Sequence, residues 1–197
     1  TFAGFHVYDG HLRDTNFTER KAKIEAGFSD FDAFLAKYQL TESVIAGGTP
    51  AFTAHALQPS RICSPGTSIF WDWGYGDALV EQPFVYAALL LTRIISKPTA
   101  GLITLDAGHK AMAAESPIDK RIRLLDMPCG YQLISQSEEH TVVRVENDTL
   151  FNVGDALYAV PYHVCPTVNL YDEAYVVQAN QWVDTWQVEA RKRRITY

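Results

Sequence analysis

The hydrophobic pattern changes period near Arg61, and only a chain with two kinds of layer can carry both halves. Before that point the apolar run from Phe2 to Tyr8 reads as a core strand closed by a polar turn at Asp9 and Gly10. Ile24, Phe28, Phe31, Phe34, Leu35 and Tyr38 then recur at the three- and four-residue spacing of one helix face. A short strand, Ser43 to Ala46, runs into Gly47, Gly48 and Thr49. Strand, helix, strand and turn in that order predict parallel βα units, an α/β layer or barrel. Beyond Arg61 the apolar stretches are short and bounded by Gly, Pro, Asn or Asp: 68–73, 84–95, 102–105, 122–125, 131–135, 141–145, 156–160, 175–177 and 186–190. Such spacing predicts an antiparallel β barrel or sandwich, with one short helix near 108–114. The expected domains are therefore residues 1–60, α/β, and residues 61–197, all-β.

Both halves can bury a core. Of 197 residues 47% are apolar and 20% charged, a globular composition. The longest apolar run, Phe84 to Leu91, falls far short of the roughly 20 residues that span a bilayer, so no membrane helix is expected. A net charge of −6 disfavours nucleic acid as a partner, and the cations Arg191, Lys192, Arg193 and Arg194 read as a solvated strand end or tail. Three scattered cysteines, Cys63, Cys129 and Cys165, make no disulfide framework, which points to a reducing, cytoplasmic setting. A core strand at Phe2, directly after Thr1, gives the expectation of a piece of a longer chain.

Four places could carry chemistry. His163 and Cys165, in Pro-Tyr-His-Val-Cys-Pro, would project the same way from an extended segment and could share one cation, since imidazole and thiolate both ligate zinc. A buried structural pair is the alternative. Gly47, Gly48 and Thr49 precede an expected short helix over 51–57, and could cradle a phosphate with backbone amides and a hydroxyl, though an ordinary βα turn uses the same residues. His11, with Tyr8 and Asp9, lies where the first strand ends, the end at which parallel α/β folds keep their sites, so it is a candidate general base. Trp71, Trp73 and Tyr75 would share one face of a strand. Cys63 and Cys129 read as core residues, Ser137 to His140 as a solvated turn, and Lys110 as a surface lysine with no apolar pocket to activate it.

The order of these features resembles the D-threonine aldolase and D-serine dehydratase family, whose architecture is related to alanine racemase. The family-like stretches run along nearly the whole chain: YDGH at 8–11, GGTP at 47–50, PGTSIFWDWGY at 65–75, LDAGHKA at 105–111, SEEH at 137–140 and VGDALYAVPYHVCPTVNLYD at 153–172. The resemblance implies the later βα units of a TIM-type barrel that holds pyridoxal 5'-phosphate, followed by an antiparallel β domain that carries a divalent metal, zinc or manganese. It implies that Tyr8, Gly47, Gly48 and Thr49 contact the cofactor, that His163 and Cys165 hold the metal beside the substrate hydroxyl, and that His11 acts as base. The resemblance places the family's cofactor-bonding lysine on the first barrel strand, so the expectation is that these 197 residues lack it, and Lys110 stands in the wrong segment to replace it.

The activity implied by the resemblance is that of a lyase acting on D-3-hydroxy amino acids, D-threonine aldolase-like, yielding glycine and an aldehyde, and working as a homodimer. D-serine dehydration, racemisation and a non-catalytic dimerisation module are the alternatives.

Overall fold

A computed structural model describes residues 2–195. The chain divides into two compact units: the first comprises residues up to Trp71 together with Tyr75–Ala87, the second Asp72–Gly74 with the residues from Ala88 onward.

The first unit is α/β. Strand β1 (Gly4–Val7) pairs in parallel with β2 (Ser43–Ala46), Gly4 opposite Ser43 and Val7 opposite Ala46. The two are connected by α1 (Phe17–Lys37). Asn16 caps this helix: its side-chain oxygen accepts the Glu19 amide at 3.1 Å, and Glu19 and Lys37 sit at the ends where the helix dipole favours their charges. Ile24, Phe28, Phe31 and Leu35 form the inner face and pack with Val44, Ala46, Ala51 and Ala54. The expected helix over 51–57 is the shorter α2 (Phe52–His55). The parallel layer continues beyond the expected boundary at residue 60, because β3 (Arg61–Cys63) pairs in parallel with β2.

Residues 68–73 form no strand. A single 3-10 turn, Thr67–Ile69, leads to Trp71 at φ 55, and α3 (Trp73–Ala78) starts two residues later. The left-handed backbone at Trp71 breaks the alternation, so Trp71, Trp73 and Tyr75 share no strand face. Trp71 is 2% exposed and packs on Tyr75 and Phe84 in the first unit. Trp73 meets Tyr162 edge to face in the second.

The second unit is antiparallel β. Its strands are β4 (Leu90–Thr99), β5 (Leu102–Leu105), β6 (Ile122–Leu124), β7 (Tyr131–Gln136), β8 (Thr141–Val145) and β9 (Ala156–Pro161), ordered β6-β9-β4-β5-β8-β7. Long β4 pairs with β9 through Leu90–Arg93 and with β5 from Ile94 onward, which curls the sheet around Ile94, Ile103, Leu105, Met112, Ile122, Val143 and Ala159, all less than 2% exposed. Residues 108–114 make a turn and no helix. Helix α4 (Val164–Val168) follows β9, and the hairpin of β10 (Glu173–Gln178) and β11 (Gln181–Gln187) makes a separate two-stranded sheet. No helix among the described residues is long and apolar enough to cross a membrane.

Candidate functional site

At the carboxyl ends of β1 and β2 the first unit brings the expected cofactor residues together. Gly47 takes φ +81, and a Cβ there would stand 2.8 Å from Phe52 Cα and 2.9 Å from the His55 ring, so glycine is required by conformation and by space. A Cβ on Gly48 would lie 3.0 Å from the Tyr8 ring, which places Tyr8 against the double-glycine bend. Thr49 is buried; its hydroxyl oxygen accepts the Thr67 amide at 3.0 Å and keeps its own proton to donate. The Thr53 hydroxyl is buried and has no hydrogen-bond partner among the described residues. A donor-rich bend with a hydroxyl in reserve suits the acceptor oxygens of a phosphate. His11 stands in an exposed turn beyond β1, and among the described residues its ring meets no hydrogen-bond partner.

Beneath this bend lies a polar chain that no local sequence signal announces. Arg61 Nη1 donates to His55 Nδ1 at 2.9 Å, so the fully buried ring carries its proton on Nε2 and donates it to Asp9 Oδ2 at 2.6 Å. Arg61 also pairs with Asp32 at 2.7 Å and stacks on Phe28. Asp9 and His55 are 46 residues apart, and only the parallel pairing of β1 with β2 joins them. A cavity of about 360 Å³ in the same unit is lined by Leu40, Thr41, Ser43 and Arg61 at the amino ends of β2 and β3, away from every expected site residue.

In the second unit the His-x-Cys pair sits on a strand-to-helix turn, and not in the extended segment expected. His163, at φ −132 and ψ 103, is the N-cap of α4, and Cys165 is its second helical residue. Their side chains still converge. The hydrogen bond with Cys165, and after it that with Glu115, raises the His163 pKa to about 9 against the opposing effect of burial. Burial pushes the Glu115 carboxyl up, but its backbone hydrogen bond and His163 together outweigh that and hold it below the ordinary carboxylate range. It is therefore ionised and can only accept, so His163 Nδ1–H is the donor in their 2.6 Å contact.

The turn is clamped on both sides. Buried Asp72 accepts the Val164 amide at 3.0 Å, and the Gly74 amide donates to Tyr162 O at 3.0 Å, where a Cβ on Gly74 would stand 2.6 Å from that oxygen. Thr167 Oγ1 donates to His163 O at 2.8 Å and accepts the Ala113 amide at 3.1 Å. Among the described residues no group of three or more His, Cys, Asp or Glu side chains could hold a metal ion. His163 and Cys165 thus offer two ligands, one nitrogen and one sulfur, a donor set that fits zinc and leaves further positions open. Glu115 and Asp72, 48 and 92 residues from their partners, were beyond reach of spacing arguments.

The remaining candidates are structural. Lys110 is exposed and pairs with Glu138 at 3.0 Å and Glu139 at 2.7 Å, which raises its pKa further and holds it as ammonium. Cys63 is half-buried, and burial pushes its thiol up. Cys129 is half-buried as well. Arg191 pairs with Asp172 at 2.7 Å in the exposed terminal segment.

Residues 87–177 match the family described as "Putative serine dehydratase domain". The D-threonine aldolase of Arthrobacter sp. is 31% identical over 201 residues, which cover 96% of this chain and 52% of the relative. The 3-hydroxy-D-aspartate aldolase of Paracoccus denitrificans is 31% identical over 97% of this chain and 51% of its own length. The chain therefore spans about half the length of these curated relatives. Among solved structures, D-threonine aldolase from Filomicrobium marinum superimposes with a TM-score of 0.83 at 28% identity, covering 97% of this chain and 53% of that one. D-threo-3-hydroxyaspartate dehydratase from Delftia sp. HT23 shares the fold at TM-score 0.71 and 22% identity, covering 93% of this chain and 55% of that one.

Proposed function

The chain belongs to the D-threonine aldolase and D-serine dehydratase family, and on that footing we propose that it forms the C-terminal portion of a pyridoxal 5'-phosphate- and divalent-metal-dependent lyase that cleaves D-3-hydroxy amino acids to glycine and an aldehyde. The observation that carries the reading is the convergence of His163 and Cys165 within the matched domain, with Glu115 on Nδ1 of the imidazole. In this reading His163 and Cys165 would hold zinc or manganese, which would supply Lewis acidity at the substrate hydroxyl. Tyr8, Gly47, Gly48 and Thr49 seat the cofactor, which supplies an electron sink for a carbanion at the substrate Cα. His11, exposed beyond β1, takes the hydroxyl proton.

The D-threonine aldolase and the 3-hydroxy-D-aspartate aldolase named above match along nearly the whole chain, which supports carbon–carbon cleavage. Dehydration is the second reading, favoured by the description of the domain matched over residues 87–177, which contain the His-x-Cys pair. Incubating the complete enzyme with D-threonine and D-serine separates the two. Glycine and acetaldehyde from D-threonine are expected. Pyruvate and ammonia from D-serine, with no glycine from D-threonine, would overturn the aldolase reading. A homodimer and a cytoplasmic location belong to the same proposal, and light scattering of the complete enzyme tests the former.

A further inference from the structure

We infer that Glu115 is a positioning residue for the metal: it fixes the tautomer and the plane of the His163 imidazole, so that Nε2 faces the cation. This rests on the proposed metal role of His163 and Cys165. A single imidazole binds through one nitrogen and is oriented by the hydrogen bond its other nitrogen makes. Here that bond is the 2.6 Å contact from Nδ1–H to Glu115 Oε1, which consigns Nδ1 to the carboxylate, so that the ring proton a cation would displace is the one on Nε2. Two-ligand sites depend on such support more than closed ones, because each ligand that rotates away takes half of the protein's donors with it.

The contact does not arise from two side chains meeting by chance on a surface. The loop of Glu115 and the turn of His163 are tied by one buried hydroxyl. Thr167, 3% exposed, accepts the Ala113 amide and donates to His163 O, so the backbone two residues before Glu115 and the backbone of the ligand itself share one anchor. Arg121 holds the other end of that loop, its Nε donating to Ser116 O at 3.0 Å, while its own carbonyl accepts the Tyr162 amide at 2.8 Å. Glu115 is thus fastened on both sides to the segment that carries His163. A carboxylate engaged behind the ring is an orienting group and not a third ligand.

Competition between the complete enzyme and a chromophoric chelator for Zn²⁺ alone tests this. Glu115→Ala is expected to weaken zinc binding roughly 10- to 100-fold with one zinc still bound at saturation, and Glu115→Gln, whose amide oxygen can accept the same N–H, to stay within about fivefold of wild type. Side chains here are half exposed, so both variants should fold, and their thermal unfolding checks that. Wild-type affinity in Glu115→Ala would overturn the positioning role. Equal losses in the Ala and Gln variants would overturn it too, since they would mean ligation or charge instead of orientation. The parent reading fails separately: it is His163→Ala binding zinc like wild type that would remove the metal from this pair, whatever Glu115 does.

Discussion

At the scale of single residues the chemistry turns on where protons sit. His163 has its pKa raised to about 9, first by the hydrogen bond with Cys165 and then by Glu115. Because the folded value stands above the ordinary one near 6.5, the attraction is fully present below about pH 6.5 and is lost as pH rises through about 9. Its side chain is 42% exposed, so solvent screens the pair and the contribution to stability is small. The direct readout is spectroscopic: in the metal-free protein the His163 ring resonances should titrate with a midpoint near 9, and in Cys165→Ala that midpoint should move down toward 6.5. A wild-type midpoint near 6.5 would refute the convergence of the two side chains. Cys63 differs, since burial holds its thiol above the usual range. Limited alkylation at pH 7.5 should modify exposed Cys165 well before Cys63, a ranking that peptide mapping can check.

At the scale of elements, stretches that are far apart in sequence support each other through backbone contacts. Gly108 approaches the Ser137–His140 turn so closely that a Cβ would stand 2.2 Å from Glu138 O, and the amides of His109 and Lys110 donate to Ser137 O and Glu138 O at 3.0 Å each. Gly108→Ala must push these strands' connections apart; a loss of roughly 1–3 kcal/mol is expected, read as a lower Tm. Removing the Asp72 carboxylate as Asp72→Ala unfastens the amide between the two proposed ligands, and a buried unsatisfied N–H costs about 1–3 kcal/mol. The same elements mark how far sequence reading reaches. Strands 102–105 and 141–145 are legible to the residue, because each pairs an alternating inner face with a neighbour, and turn residues stand close by, Gly101 and Asp106 around the first and Asn147 just past the second. The stretch 68–73 was not, because its alternation is interrupted by a left-handed Trp71, a conformation that a bulky aromatic does not advertise. Strand β11 starts five residues before the expected 186–190 stretch, since its hairpin turns on Ala179 and Asn180, both at positive φ, where glycine would have signalled the turn. The His-x-Cys pair was found for its ligand chemistry, although the geometry that unites it is a helix N-terminus and not a strand.

Over the whole chain, the deeper difficulty is that long-range polar contacts decide where a unit ends. The hydrophobic period places a boundary at residue 60, yet the first unit reclaims Tyr75–Ala87, and an ion pair explains part of that return. Arg20 on α1 is fully buried and pairs with Glu81, while its other guanidinium nitrogen reaches Asp14 O. Arg20 stands four residues before Ile24 on the inner face of α1, which separates it from Lys21 and Lys23 on the solvent side, but no neighbouring residue names Glu81 as its partner. Gln82 adds a second tie, its side-chain amide donating to Thr49 O at 2.9 Å beside the double-glycine bend. Removing one partner of a buried pair leaves the other charge desolvated, and that penalty exceeds what the pair itself contributes. Glu81→Ala should therefore destabilise the first unit by about 3 kcal/mol. Hydrogen exchange localises the effect: amides of Phe17–Lys37 should exchange faster in the variant, whereas those of β5 and β8 should hold their protection. Unchanged exchange along α1 would mean that the return of residues 75–87 rests on apolar packing around Trp71 and Phe84 instead of on this charge pair.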